Sequence, residues 1–168
     1  MINPVKLHGP WTEGYALDEY ITSSKYIGED VFGHSQFCNT YTDIGELLHA
    51  LKYNGHTDTS QSIASEAYPF LREWIAAKSI DIVLPVPPTT KRDVQPLFLI
   101  TQAIAESLSL FYALDVLENT STRPAKNMSR EEKSLKGAIF KRKPAKRTCN
   151  ILLLDDLFST GAPSDGMR

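Results

Sequence analysis

Two adjacent acids and a run of small residues have the types and spacing to bind a sugar phosphate. Asp155 and Asp156 directly follow an apolar segment, and after two intervening residues come Ser159, Thr160, Gly161 and Ala162. Ionised carboxylates only accept hydrogen bonds, so an adjacent pair suits the neighbouring hydroxyls of a ribose. Hydroxyls and backbone amides in a tight turn suit a phosphate dianion. The octet 155–162 therefore predicts a phosphorylated-sugar site, with spacing that suits ribose 5-phosphate.

Each half of this octet also has an ordinary structural interpretation. An acidic pair can simply end a strand, and serine, threonine and glycine are common in turns everywhere. The two halves together favour the ligand site. No Gly-x-x-x-x-Gly-Lys precedes the octet and no lysine lies inside it, which excludes the P-loop of nucleoside triphosphatases.

The elements that must position the octet have the pattern of an α/β fold with a parallel sheet. Beyond Lys78, short apolar strands alternate with helices, which is typical of βαβ units. The apolar run 149–154 predicts a strand covered on both faces. Ligands of open α/β sheets bind at the carboxyl ends of strands, where the two acids stand. The same pattern predicts strands at 81–86, 113–117 and 137–140 and a helix at 95–108.

The first part of the chain has a different character. Aromatic and β-branched residues between Trp11 and Thr42 predict short antiparallel strands in a hairpin-like lobe. Asp43 is the expected cap of a helix that ends before Asn54, and a second helix is expected over residues 59–77. We expect a single domain, with an N-terminal β-rich lobe (1–42) and an α/β core (43–168).

Charge and composition exclude several classes of protein. The formal net charge is -2 and the pI is near 6.1, which gives no basic field for nucleic acid or anionic membranes. Apolar stretches are far shorter than the ~20 residues that span a bilayer. Two cysteines cannot form a disulfide or zinc framework, and the histidines lack metal-ligand spacing. We expect a cytoplasmic protein with small-molecule partners.

Three segments resemble type I phosphoribosyltransferases, in their ComF-like (competence or amidophosphoribosyltransferase-like) branch. Residues 151–162 resemble the phosphoribosyl pyrophosphate (PRPP) motif. Residues 51–55 are similar to the Lys-Tyr-x-Gly of that branch, and residues 81–88 to its Pro-Val-Pro strand end. Lys52 and Tyr53 in the second segment have two open interpretations, a cation and a packing aromatic at a helix end, or a substrate role.

The resemblance implies a fold, a reaction and a set of site residues. It implies a parallel sheet flanked by helices, and transfer of a phosphoribosyl group from Mg2+-bound PRPP to an unidentified acceptor with release of pyrophosphate. Asp155 and Asp156 would be the catalytic acids, and residues 159–162 would hold the 5-phosphate. The implied partners of the pyrophosphate are the basic residues Lys91, Arg92, Arg123, Lys126 and Arg130.

The sequence also departs from the family pattern. The Arg-Gly-Phe-Asn of the family is replaced by residues 93–96, Asp-Val-Gln-Pro, and its cysteine-rich zinc module by the N-terminal lobe. The printed sequence ends at Arg168, where the family continues into a helix and a strand, so we expect a truncated fold. This favours an alternative function as a non-catalytic PRPP- or phosphate-binding or competence-associated interaction protein. An unpaired sheet edge would also favour self-association or homo-oligomers.

Overall fold

The computed structural model describes residues 1–88, 90, 92–119, 139–141 and 147–158. In these residues the chain is a mixed α/β protein with three helices and small sheets, one of which is a parallel pair. No helix in the described ranges is both long and apolar enough to cross a membrane.

Two antiparallel hairpins form the N-terminal part, as the aromatic and β-branched pattern predicts. Strand β1 (Val5–Leu7) pairs with β2 (Gly14–Ala16). Strand β3 (Ile21–Glu29) pairs with β4 (Ser35–Tyr41), and two register irregularities interrupt that pairing. The first hairpin begins before Trp11, so the antiparallel region is longer than the sequence pattern indicates.

Three helices follow the predicted periodicity closely. They are α1 (Asp43–Tyr53), α2 (Thr59–Ile75) and α3 (Pro96–Ser107). The predicted cap of α1 is wrong by one residue. Thr42, and not Asp43, has extended backbone angles, and its Oγ1 accepts a hydrogen bond from the Gly45 amide at 3.0 Å. Asp43 therefore lies in the first turn, where its negative charge interacts favourably with the helix dipole.

The main core lies between the three helices. Their apolar stripes pack together, as residues spaced three and four apart on each helix must. Thr101 is the one fully buried polar residue among its neighbours on α3, and its hydroxyl donates to the Leu97 carbonyl at 2.7 Å. The buried members of this core are Leu48, Leu51, Ile63, Ala64, Ala67, Leu71, Ile100, Ala103 and Ile104.

Strand β5 (Ile82–Pro85) pairs in parallel with β8 (Ile151–Leu154). On the other side of β5, Tyr112 forms a parallel bridge with Val83. The predicted third strand over 113–117 is therefore displaced, because the bridge precedes it and strand β6 (Leu117–Asn119) pairs antiparallel with β7 (Ile139–Lys141). A parallel pairing of β5 with β8 is confirmed, together with this bridge.

The prediction that the last strand is covered on both faces is wrong. Leu152 is buried against α3 and Leu154 packs on the helical core, whereas Ile151 and Leu153 are 50% and 53% exposed. Side chains alternate between the two faces of a strand, and the helices cover one face of β8. An unbroken apolar run is compatible with one covered face or two, so composition could not distinguish them.

Candidate functional site

The carboxyl ends of β5 and β8 lie side by side. Pro85 is opposite Leu154 in the parallel register, and the Val86 amide donates to the Leu154 carbonyl at 2.8 Å. The turn after β5 and the two acids after β8 therefore leave the sheet at the same edge. The sequence prediction that the acids stand at the carboxyl end of a parallel strand is confirmed.

Asp155 is the first acid beyond the strand. The residue is exposed, but nearby protein atoms partly desolvate its carboxyl, and this desolvation is the main reason that its pKa is raised. The Asp156 charge raises the pKa further, while Lys52 and a hydrogen bond from the Asp156 amide, at 2.8 Å to Oδ1, oppose the shift. Asp155 is therefore a carboxyl whose ionised form is under-stabilised.

Asp156 is held by a cation from a distant part of the chain. The Lys52 ammonium donates to Asp156 Oδ2 at 2.8 Å, and the two side chains are only 12% and 25% exposed. Lys52 lies in the last turn of α1, where a cation also complements the helix dipole. Both sequence interpretations of Lys52 are therefore compatible with its position, because it ends a helix and also contacts the candidate site.

Arg92 is the one predicted pyrophosphate partner among the described residues. Its Nη1 donates to the Lys52 carbonyl at 3.3 Å, which places the guanidinium beside the end of α1. Lys52 thus pairs with Asp156, and Arg92 contacts the backbone of Lys52. The other predicted site residues lie outside the described ranges; they are Lys91, Arg123, Lys126, Arg130, Ser159, Thr160, Gly161 and Ala162.

A row of aromatic rings, which the sequence patterns above do not predict, lies near Asp156. Successive ring centroids are 5.2 Å apart for Tyr20 and Tyr41, 4.8 Å for Tyr41 and His49, and 4.9 Å for His49 and Tyr53. Desolvation, followed by the nearby Tyr41, Tyr53 and Asp156, raises the pKa of Tyr20 to about 12. His49 and Tyr53 are four apart on α1, a spacing that could have indicated adjacent rings.

The N-terminal part also reaches the chain beyond β8. Trp11 and Phe158 meet edge to face, with ring centroids 6.0 Å apart. Such contacts stabilise aromatic pairs beyond the area that they bury. The residues around the candidate site therefore come from the N-terminal hairpins, α1, the turn after β5 and the end of β8.

A large open groove lies elsewhere, on the surface of α2. It has a volume of about 510 Å³ and is lined by Tyr68, Pro69, Arg72, Glu73 and Ala76. The lining includes one cation and one anion but none of the residues predicted for the sugar phosphate. We therefore place the candidate chemistry at the strand end, where several charged groups converge, and not in this groove.

No protein-family model, curated protein or solved structure matches the chain. Within the described ranges, no group of three or more His, Cys, Asp and Glu residues could hold a metal ion.

Proposed function

We propose that this protein is a phosphoribosyltransferase-type domain, which binds Mg2+-bound PRPP and transfers its phosphoribosyl group to an acceptor nucleophile. The observation that carries the proposal is the position of Asp155 and Asp156. They stand at the carboxyl end of β8, beside the end of β5, with Lys52 2.8 Å from Asp156 and Arg92 next to Lys52. This is the edge at which open α/β sheets bind ligands.

The two carboxylates suit the ribose and the charge that its reaction develops. Each can accept a hydrogen bond from a ring hydroxyl. As the bond from the anomeric carbon to pyrophosphate breaks, the electron pair leaves with pyrophosphate and positive charge grows on the ring. Carboxylates fixed nearby favour that charge. The acceptor then forms its bond to the anomeric carbon and releases its proton to solvent or to a nearby base.

The phosphates of PRPP require cations and amide donors. Residues 159–162 would hold the 5-phosphate through hydroxyls and backbone amides. Mg2+ would arrive with PRPP, coordinated by pyrophosphate oxygens and water, as this ion prefers. Arg92, with Lys91 and the basic residues Arg123, Lys126 and Arg130, would accompany the leaving pyrophosphate.

Calorimetric titration with Mg2+-PRPP tests the proposal. We expect saturable binding to the wild-type protein, weakened about tenfold or more in D156N, because a charge-assisted hydrogen bond to the sugar is lost. D81N is the control at the amino ends of the same two strands, and its folding is checked alongside, because the Asp81 carboxylate accepts hydrogen bonds from Arg147 and the Asn150 amide. Pyrophosphate release with a panel of amines and nucleobases then tests transfer. Absence of binding would reject the proposal.

A non-catalytic interaction protein is the second candidate, and the second hairpin favours it. Val31 and Phe32, between β3 and β4, are 93% and 81% exposed. The Asp30 carboxylate fixes the turn, because its Oδ1 accepts the Phe32 and His34 amides at 2.8 and 2.9 Å. Exposed apolar residues on an ordered turn are typical of contact surfaces. Binding of PRPP without pyrophosphate release would support this candidate.

A further inference from the structure

Asp156 has a charged partner within the chain. Its Oδ2 accepts the Lys52 ammonium at 2.8 Å, and both side chains are largely shielded from solvent. Ribose hydroxyls that bind this carboxylate must therefore compete with a cation. Weakening an ion pair in such surroundings is costly unless the displaced charge finds another partner.

Lys52 has the capacity to take such a partner. An ammonium has three N–H donors, and among the described residues one of them is used, toward Asp156. The Arg92 guanidinium contacts the backbone carbonyl of the same residue at 3.3 Å. A phosphorylated sugar offers an anion in exchange for Asp156, whereas a neutral sugar offers none.

We infer that Lys52 is a specificity-determining residue, which passes from Asp156 to a phosphate oxygen when the sugar hydroxyls take the carboxylate. The site then selects sugars that carry a phosphate over sugars that do not. This inference rests on the proposed function, because it assumes that the sugar phosphate binds at Asp156. Lys52 thus pairs with Asp156 before the sugar phosphate binds and with a phosphate oxygen afterwards.

The competition predicts opposite effects of K52M and D156N on the binding of inorganic pyrophosphate, an anion without a sugar. Inorganic pyrophosphate and ribose 5-phosphate are titrated separately by calorimetry at low ionic strength. The comparison shows whether Lys52 binds the pyrophosphate group or the 5-phosphate. K52M should weaken binding of that ligand about tenfold, through loss of one charge-assisted hydrogen bond. D156N should strengthen binding of pyrophosphate, because it releases Lys52. K52M/D156N should lose this gain.

Matched variants separate the inference from a general charge effect. D155N also removes a negative charge but leaves the Lys52 pair intact, so its gain in pyrophosphate affinity should be smaller than that of D156N. K78M breaks the pair of Lys78 with Glu13, 2.6 Å apart and outside the site, and should leave anion affinity unchanged. K52R should keep most of the affinity, since it retains a cation.

Failure of the role inferred for Lys52 and failure of the proposed function give different results. If wild type binds Mg2+-PRPP, but K52M binds pyrophosphate and ribose 5-phosphate as tightly as wild type does, Lys52 has no such role. Equal gains in D155N and D156N would also overturn the exchange, and this comparison stands even if K52M fails to fold. If wild type does not bind Mg2+-PRPP, the proposed function fails, and the inference fails with it.

Discussion

Asp155 and Asp156 are neighbours in the chain but differ in their electrostatic surroundings. Asp156 is paired with Lys52, while desolvation and the charge of Asp156 raise the pKa of Asp155. Because the surroundings of Asp155 disfavour its ionised form, ionisation of this carboxyl lowers the stability of the fold at neutral pH. Such costs are typical of functional sites, where the arrangement of charged groups serves ligand binding and not stability.

Replacement of Asp155 by asparagine should therefore stabilise the protein. Because the folded pKa lies above the ordinary 3.8, the carboxyl's contribution to stability is complete below that pH and is lost as the pH rises through the folded pKa. At pH 7 we expect D155N to gain roughly a few tenths of a kcal/mol, since solvent screens so exposed a group. Urea unfolding measures this, and a less stable D155N would contradict it.

Glu13 has the opposite linkage. Hydrogen bonds from Lys78 and Trp74, at 2.6 and 2.9 Å, are the main causes that lower its pKa from 4.5 to about 2. Its contribution to stability should be present above pH 4.5 and lost as the pH falls toward 2. E13Q should be less stable than wild type at pH 7, and this difference should shrink over that range. A difference independent of pH would refute the linkage.

Neither of these contacts could be predicted from the sequence. Lys52 and Asp156 are 104 residues apart, and Glu13 is 61 residues from Trp74. Local patterns report spacing within one helix or strand, whereas these pairs depend on how α1, α2 and the first hairpin pack. The octet could be recognised because its residues are adjacent in the sequence. The pairing of Asp156 with Lys52 could not be predicted, because another element supplies that cation.

At the scale of elements, Thr42 connects the second hairpin to α1, the helix that carries Lys52. The Thr42 hydroxyl donates to the Glu19 carbonyl at 2.6 Å and accepts from the Gly45 amide at 3.0 Å. T42A should therefore cost about 1–2 kcal/mol, whereas T42S, which keeps the hydroxyl, should cost much less. Chemical denaturation of both variants measures this, and equal stabilities would show that the cap contributes little.

Helix bounds were predictable, and strand coverage was not. The apolar residues of α1 and α3 recur every three or four positions, so each helix has one buried face that its own sequence defines. Strand β8 is apolar at every position, and its coverage depends on which other elements pack against it. Ile151 and Leu153 are half exposed for that reason, although the same run correctly identified the strand and its parallel partner.

For the whole molecule, these exposed side chains predict self-association. Sedimentation should show larger species as the protein concentration rises, because β8 presents an apolar face. I151T/L153T should reduce the effect, because threonine is less apolar and is β-branched, which suits a strand. V31S/F32S removes two exposed apolar side chains from the hairpin turn and tests whether the effect belongs to β8. A monomer at all concentrations would contradict the prediction.

The most direct test of the account is whether the acids after β8 recognise neighbouring ribose hydroxyls. Ribose 5-phosphate and 2-deoxyribose 5-phosphate differ by one hydroxyl, and calorimetry can compare their affinities for wild type, D155N and D156N. We predict that wild type prefers the ribose form about tenfold, and that at least one of the variants loses this preference. Equal affinity of wild type for the two sugars would contradict the central claim.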